Sequence, residues 1–273
     1  RAAERALQAG VDGVRADLVM LRAARAWAAL EGRVSVTSAD VDAVAERNAI
    51  VSRVVGAAKS IELFRTYADD GTTTAPAVAD YAAIGVNGVN SGNVAAFNSA
   101  VDGLTSSDVD SSSKLQAVVN AYARILAEAN GSAADATPGA NPSAADYAQV
   151  GASIGLAAQG VAGGTNQASS ALALLDDSVG ALTVASVNTV AKLNQLAAIV
   201  DKIMTLAQQS TGTAIPASAV TMTELSSLGL NVSLVNTSSE TNAIWQAIIN
   251  SADDGSGVAT VTALQAIINA NAS

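Results

Sequence analysis

The chain has 273 residues, of which half are hydrophobic but only 3% aromatic, and it carries 14 basic and 24 acidic residues. It contains no cysteine and no histidine, so disulfides and triads with a histidine base are excluded, and zinc or copper would lack its usual ligands. The net charge of −10 disfavours nucleic-acid partners, and no apolar run reaches the ~18 residues of a membrane span.

The composition changes near residue 47. Residues 1–47 hold seven Arg and seven acidic residues, so their net charge is zero; the remaining seven basic and seventeen acidic residues give residues 48–273 a charge of −10. Ser, Thr and Asn are absent from the first 34 residues and abundant after residue 48. We therefore treat residues 1–47 as a separate segment.

Two helices are predicted in this first segment. Apolar residues at a 3–4 spacing predict a helix over residues 15–31, which Gly32 is placed to end. Thr37 or Ser38 can cap a second helix, whose apolar stripe is formed by Val41, Val44 and Ala45.

Four stretches of this segment, residues 13–18, 22–26, 29–33 and 36–41, carry a family likeness. They resemble the helical lid of magnesium-chelatase-type AAA+ ATPases. The resemblance implies that Arg15, in the matching Arg-Ala-Asp step, is the sensor that contacts nucleotide phosphate. The chain has no G-x-x-x-x-G-K-[ST] loop, so we expect Arg15 to be an ordinary solvated arginine unless a AAA+ core is supplied.

Beyond residue 47 the sequence repeats itself. Ala followed by two β-branched residues recurs at residues 49–51, 117–119, 198–200 and 266–268, with spacings of 68, 81 and 68 residues. A second pattern, an acidic residue followed five positions later by Gly, begins at Asp80, Asp146 and Glu224. Ser143 and Thr221 precede two of these acids by three residues, which is the capping-box spacing that opens a helix.

Each repeat is predicted to contain a long helix, a short helix closed by glycine, and a third helix. The third helices are expected within residues 94–104, 169–182 and 242–251. The fold class that follows is all-α, with tandem small three-helix bundles preceded by a short helical segment. Polar residues such as Gln116 lie opposite the apolar stripes, so the helices have no second apolar face with which neighbouring bundles could stack. We therefore expect each bundle to have its own core.

The predicted domains are residues 1–47 for the lid-like segment and 48–114, 115–192 and 193–263 for repeats 1, 2 and 3. Residues 264–273 repeat the start of a unit, and a first helix without its partners is expected not to bury its stripe. We therefore expect the native protein to continue. Residues 37–42 also match residues 105–110, so either the lid helix runs continuously into the first bundle or part of the lid likeness is coincidental.

Residues 80–89 and 93–104 carry a second likeness. They resemble the Ala-, Thr- and Asp-rich helical spacer repeats of very large bacterial surface and adhesin-like proteins. This resemblance covers most of residues 48–273. It implies a spacer or display role at the bacterial cell surface, and no known ligand.

Candidate sites are few. Asp253 and Asp254 are the best pair for calcium, although the sequence lacks an EF-hand loop and Asp-Asp-Gly is also an ordinary turn. No nucleophile or base is arranged for catalysis, so we expect neither a catalytic residue nor a cofactor.

Three functions remain open. The first is a non-catalytic spacer or display segment of a surface protein, the second an assembly or regulatory module attached to a chelatase-like AAA+ ATPase, and the third a ligand-binding three-helix module. In each case the expected partner is a protein or a neighbouring repeat. The second function would place the protein in the cytoplasm.

Overall fold

A computed structural model describes residues 14–71, 74–132 and 141–272 of the chain. Within these residues the regular structure is helical, and the only β-type pairing is an isolated bridge between Asn130 and Thr183. The predicted all-α class is confirmed. None of the helices in the described part is long and apolar enough to cross a membrane.

Twelve α-helices occur in the described residues, with short 3-10 helices at Gly155–Gln159 and Ser256–Val258. The α-helices are α1 (Val14–Leu30), α2 (Ser38–Asp70), α3 (Val78–Ala83), α4 (Val94–Asp102), α5 (Ser112–Glu128), α6 (Ala144–Gln149), α7 (Gln167–Ala181), α8 (Val184–Val187), α9 (Val190–Ala207), α10 (Met222–Ser227), α11 (Ser238–Ile249) and α12 (Val261–Asn271).

The ends of the short helices follow local side-chain chemistry. Ser143 and Thr221 cap α6 and α10, and the acids three residues on complete both capping boxes. Each short helix is followed by a glycine with positive φ, a conformation that glycine adopts without the steric cost of a Cβ: Gly85, Gly151 and Gly229. The sequence predicted these caps and stops.

Helix α2 extends continuously from the lid-like segment into the region of the first repeat. It has 33 residues, from Ser38 to Asp70, and passes residue 48 without a break. Of the two alternatives at this junction, the continuous helix is the one observed.

The chain divides into two compact units, Arg1–Glu62 and Leu63–Ser273. The described part of the first unit has a small core of Met20, Ala24, Val41 and Val44, with Ala23, Trp27 and Ala45 packed against it. Few apolar groups are buried in this described part, so hydrophobic burial among these residues contributes only modestly to stability.

The second unit has one core, which corrects the expectation of a separate core in each bundle. Its buried hydrophobic residues, from Phe64 to Ile268, form a single cluster. Hydrogen bonds also join distant helices: the Val190 N–H donates to Ser99 Oγ at 3.0 Å, and the Val261 N–H donates to Asp177. The separate-core expectation was wrong because faces assumed to be solvated are used for packing.

Gln116 lies on a helix face that was expected to be solvated, but it takes part in packing. Its side-chain oxygen accepts the Asn87 N–H at 2.8 Å, and its side-chain nitrogen donates to the Asn87 carbonyl at 3.2 Å. Gln265 makes the same pair of bonds with Asn231. These polar residues therefore bond α5 to the loop after α3, and α12 to the loop after α10.

The last helix also differs from expectation. Helix α12 packs against α11 and α7, and Leu264 and Ile268 are buried. The stripe of residues 264–273 is therefore covered without the other helices of a fourth repeat. The first copy of the repeated apolar pattern, at residues 50–51, shows the opposite behaviour, because both residues are exposed.

We predict that Ile125→Ala destabilises the whole second unit. Ile125 is fully buried in the shared core, and truncating such a residue costs about 2–5 kcal/mol. Hydrogen exchange is expected to lose protection together in α4, α7 and α11. Val51→Ala, at an exposed position, is the control, and loss confined to α5 and its immediate neighbours would contradict a single cooperative core.

Candidate functional site: the lid-like segment

The turn between α1 and α2 is fixed by backbone hydrogen bonds. Gly32 has φ +75°, and its N–H donates to the Ala29 carbonyl at 3.0 Å. The Arg33 N–H donates to the Ala28 carbonyl at 2.9 Å. This left-handed glycine stop ends α1 where the sequence predicted.

Asp40 stabilises the start of α2. Its side chain is buried and accepts hydrogen bonds from the Thr37 N–H at 2.7 Å and from the Thr37 hydroxyl at 2.8 Å. Arg33 Nη1 donates to the same carboxylate at 2.8 Å, and Arg33 also pairs with Glu31. The hydrogen bond from Arg33 is the largest cause that holds the pKa of Asp40 well below its usual range, followed by the Thr37 N–H.

Trp27 and Arg47 hold the two helices together beyond the core. The Arg47 guanidinium carbon lies 3.7 Å from the centre of the Trp27 ring, a cation–π contact. Beside this contact is a groove of about 480 Å³, lined by Ala23, Ala26, Trp27, Leu30, Val44, Arg47 and Asn48. This groove was not predicted from the sequence, because its presence depends on how closely the two helices approach each other.

Arg15, the predicted phosphate sensor, lies in the first turn of α1. Its side chain is outside the part of the structure that is described, so the sensor role stays a prediction from the family likeness.

Asp253 and Asp254 precede a tight turn. Asp254 Oδ1 accepts the Ser256 N–H at 2.9 Å, and Gly255 has φ +74°. The hydrogen bonds from Ser256 lower the pKa of Asp254. In the described residues, no three His, Cys, Asp or Glu residues are grouped as metal ligands. In this structure Asp254 forms a turn, and calcium binding at Asp253 and Asp254 stays a prediction.

In the second unit, the short helices α6 and α10 each form an ion pair with the long helix that precedes them. Arg124 pairs with Asp146, and Lys202 pairs with Glu224 at 2.5 Å, each across a separation of 22 residues. Burial acts to raise the pKa of Asp146, but hydrogen bonds from Arg124 and Ser143 outweigh it and lower the pKa. The common spacing of 22 residues between these charged residues is visible in the sequence.

A buried pair links α6 to α7. The Tyr147 hydroxyl donates to Asp176 Oδ1 at 2.8 Å, and both side chains are buried. Burial, followed by the charge of Asp176, raises the pKa of Tyr147 well above its ordinary value. The equivalent bond near the first short helix runs from Tyr81 to Asn98. These bonds satisfy buried polar groups and have a structural role.

We predict that the lid-like segment loses stability as the pH falls below about 4, the ordinary pKa of an aspartate. The folded-state pKa of Asp40 is depressed, so its contribution is present above the unfolded pKa and disappears as the carboxylate becomes protonated. Circular dichroism and the fluorescence of Trp27, made the sole tryptophan by Trp245→Phe, measure this loss during acid titration.

The variant Asp40→Asn is expected to be less stable at neutral pH and to lose most of this acid dependence. Asp42→Asn, an exposed aspartate on the same helix, is the control. An acid transition that is unchanged in Asp40→Asn would contradict the assignment.

Comparison with known proteins gives one result for this segment. Residues 1–47 match the family model of the AAA lid domain, which supports the likeness drawn from the sequence. No curated protein and no solved structure matches the chain. The comparisons give no support to the likeness between the repeats and surface-protein spacers.

Proposed function

We propose that this protein is a non-catalytic assembly or regulatory module that works together with a AAA+ ATPase of the chelatase type. The observation that carries the proposal is the AAA lid match at residues 1–47, the segment that contains α1 and the start of α2. These helices have their own small core, separate from that of the second unit. The first unit would bind the ATPase, and the second unit would offer surface to a protein partner.

The absence of a phosphate-binding loop from these 273 residues supports a non-catalytic role. A lid arginine acts only where a nucleotide is held by a AAA+ core. If Arg15 has the role that the family likeness implies, the phosphate that it contacts must be bound outside this segment. The proposal therefore requires association with a nucleotide-binding core.

The surface-display function stays a prediction without support from any comparison, and so does the cell-surface location that accompanied it. The ligand-binding module likewise has no specific observation in its favour. We therefore favour the ATPase-associated role.

The proposal is tested with a chelatase-type AAA+ core from which the lid has been deleted. The full chain is expected to bind this core in the presence of ATP and to raise its ATP turnover. Arg15→Ala is expected to lower the stimulated turnover about tenfold or more, the scale on which preorganised charge stabilises a transition state. ATP turnover and binding are measured in parallel.

The matched control is Arg53→Ala, which removes an exposed arginine of α2 outside the lid match. It should leave the stimulated turnover unchanged. No binding to the lid-deleted core, or equal effects of the two substitutions on turnover, would contradict the proposal.

A further inference from the structure

The groove between α1 and α2 has an apolar lining and one charged residue. Ala23, Ala26, Trp27 and Leu30 of α1 line one side, and Val44, Arg47 and Asn48 of α2 line the other. All of these residues belong to the first unit. We call this surface the lid groove.

The apolar surface continues along α2 beyond the groove. Residues 46–55 are exposed at every position, and they include Ile50, Val51, Val54 and Val55 with exposed fractions of 45, 58, 63 and 46%. Val51 and Val55 follow Arg47 at steps of four residues and therefore lie on the same face of the helix. From Val44 to Val55 this face is about 17 Å long, the length of three helical turns.

Arg22 places a positive charge beside the lid groove, whereas Arg25, two positions after Ala23, lies on the other side of α1. From Leu18 to Leu30, α1 contains Arg22 and Arg25 and no acidic residue. Neither arginine forms an ion pair within the described part of the chain, and both are exposed. Arg22 precedes Ala26 by four residues, so it lies beside the groove.

The acidic residues of α2 near the groove lie on the side of α2 that faces away from the groove. Asp42 and Glu46 are two positions before and after Val44, which places them about 160° around the helix from it. A negative partner in the groove would therefore meet Arg22 and Arg47 and avoid these carboxylates. This local charge contrasts with the net charge of −10 for residues 48–273.

The second unit also has a groove, of about 650 Å³, between α9 and α10. There the lysines are already engaged: Lys202 pairs with Glu224, and Lys192 donates to the Ala185 carbonyl and to Asn188. The lid groove is different because Arg22, which lies beside it, forms no ion pair within the described residues.

We propose that the lid groove and the adjoining face of α2 bind an acidic amphipathic helix of a partner protein. About three turns of helix would place apolar side chains against Trp27, Val51 and Val55, with carboxylates towards Arg22 and Arg47. A second copy of this chain is a poor occupant, because the exposed apolar face of its own α2 lies beside the same arginines, Arg22 and Arg47, and would bring like charges together. This binding does not depend on the ATPase role proposed above.

The test uses the full chain carrying Trp245→Phe, so that Trp27, one of only two tryptophans, becomes the sole fluorescence reporter. The probes are three synthetic 14-residue helices with leucines at i, i+3, i+4, i+7, i+10 and i+11. In each peptide, all remaining positions carry a single residue type: Glu in the first, Gln in the second and Lys in the third. The Glu peptide is expected to bind at least tenfold more tightly than the Lys peptide, and the difference should shrink with added salt.

Two Ala→Glu variants locate the site. Ala26→Glu places a negative charge in the groove and should weaken binding of the Glu peptide about tenfold or more. Ala49→Glu adds the same charge at an exposed position two residues from Arg47, on the other side of α2, and should have little effect. Circular dichroism verifies that both variants are folded.

Equal affinities for the Glu and Lys peptides, no binding of either, or equal effects of the two variants would overturn the proposal. Sedimentation of the full chain provides a further test. Self-association that Ala26→Glu abolishes would mean that a second copy occupies the face, and it would overturn the assignment of an acidic helix.

Discussion

The scarcity of aromatic side chains constrains the whole second unit. With 3% aromatic residues, most helices bring Ala, Val, Leu and Ile to the interior, and each such side chain removes limited apolar area from water. A helix covered on one face only would bury too little area to offset the entropy of ordering it. The observed solution is one core from Phe64 to Ile268, in which helices that are distant in the sequence cover one another.

Aromatic residues of the second unit lie at contacts between its helices. Phe97 of α4 and Tyr122 of α5 form an edge-on pair with ring centres 6.2 Å apart, and the Tyr122 hydroxyl donates to the Val187 carbonyl at 3.0 Å. Tyr122 therefore joins segments that are distant in the sequence. Buried hydroxyls of this kind specify one arrangement among many that small aliphatic side chains would allow.

Local structure could be predicted from the sequence, and tertiary packing could not. The caps of α6 and α10 and the glycine stops depend on residues within five positions of one another, so the sequence contains all the chemistry that determines them. The Gln116–Asn87 bonds span 29 residues, and the bond between Val190 and Ser99 spans 91. Nothing in a helical periodicity indicates such partners.

The repeated Ala and β-branched pattern shows this limit most directly. Val118 and Val119 are buried, while Ile50 and Val51, at the matching places in α2, are exposed. The same residue types thus occur in two environments, because burial is decided by the neighbouring helices. The lid groove escaped prediction for the same reason, although the arginines beside it and the apolar residues after it are visible in the sequence.

The first unit has the physical properties of a segment that gains stability on binding. Its described core cluster has four buried residues, and the carboxylate of Asp40, in the first turn of α2, depends on its ion pair with Arg33. A ligand that binds only the folded form stabilises it by RT ln(1 + [L]/Kd), about 2.7 kcal/mol at a hundredfold excess over Kd. For a unit whose described core is this small, such a gain is large. The second unit has an extensive core of its own, so binding is expected to affect the stability of the first unit far more than that of the second.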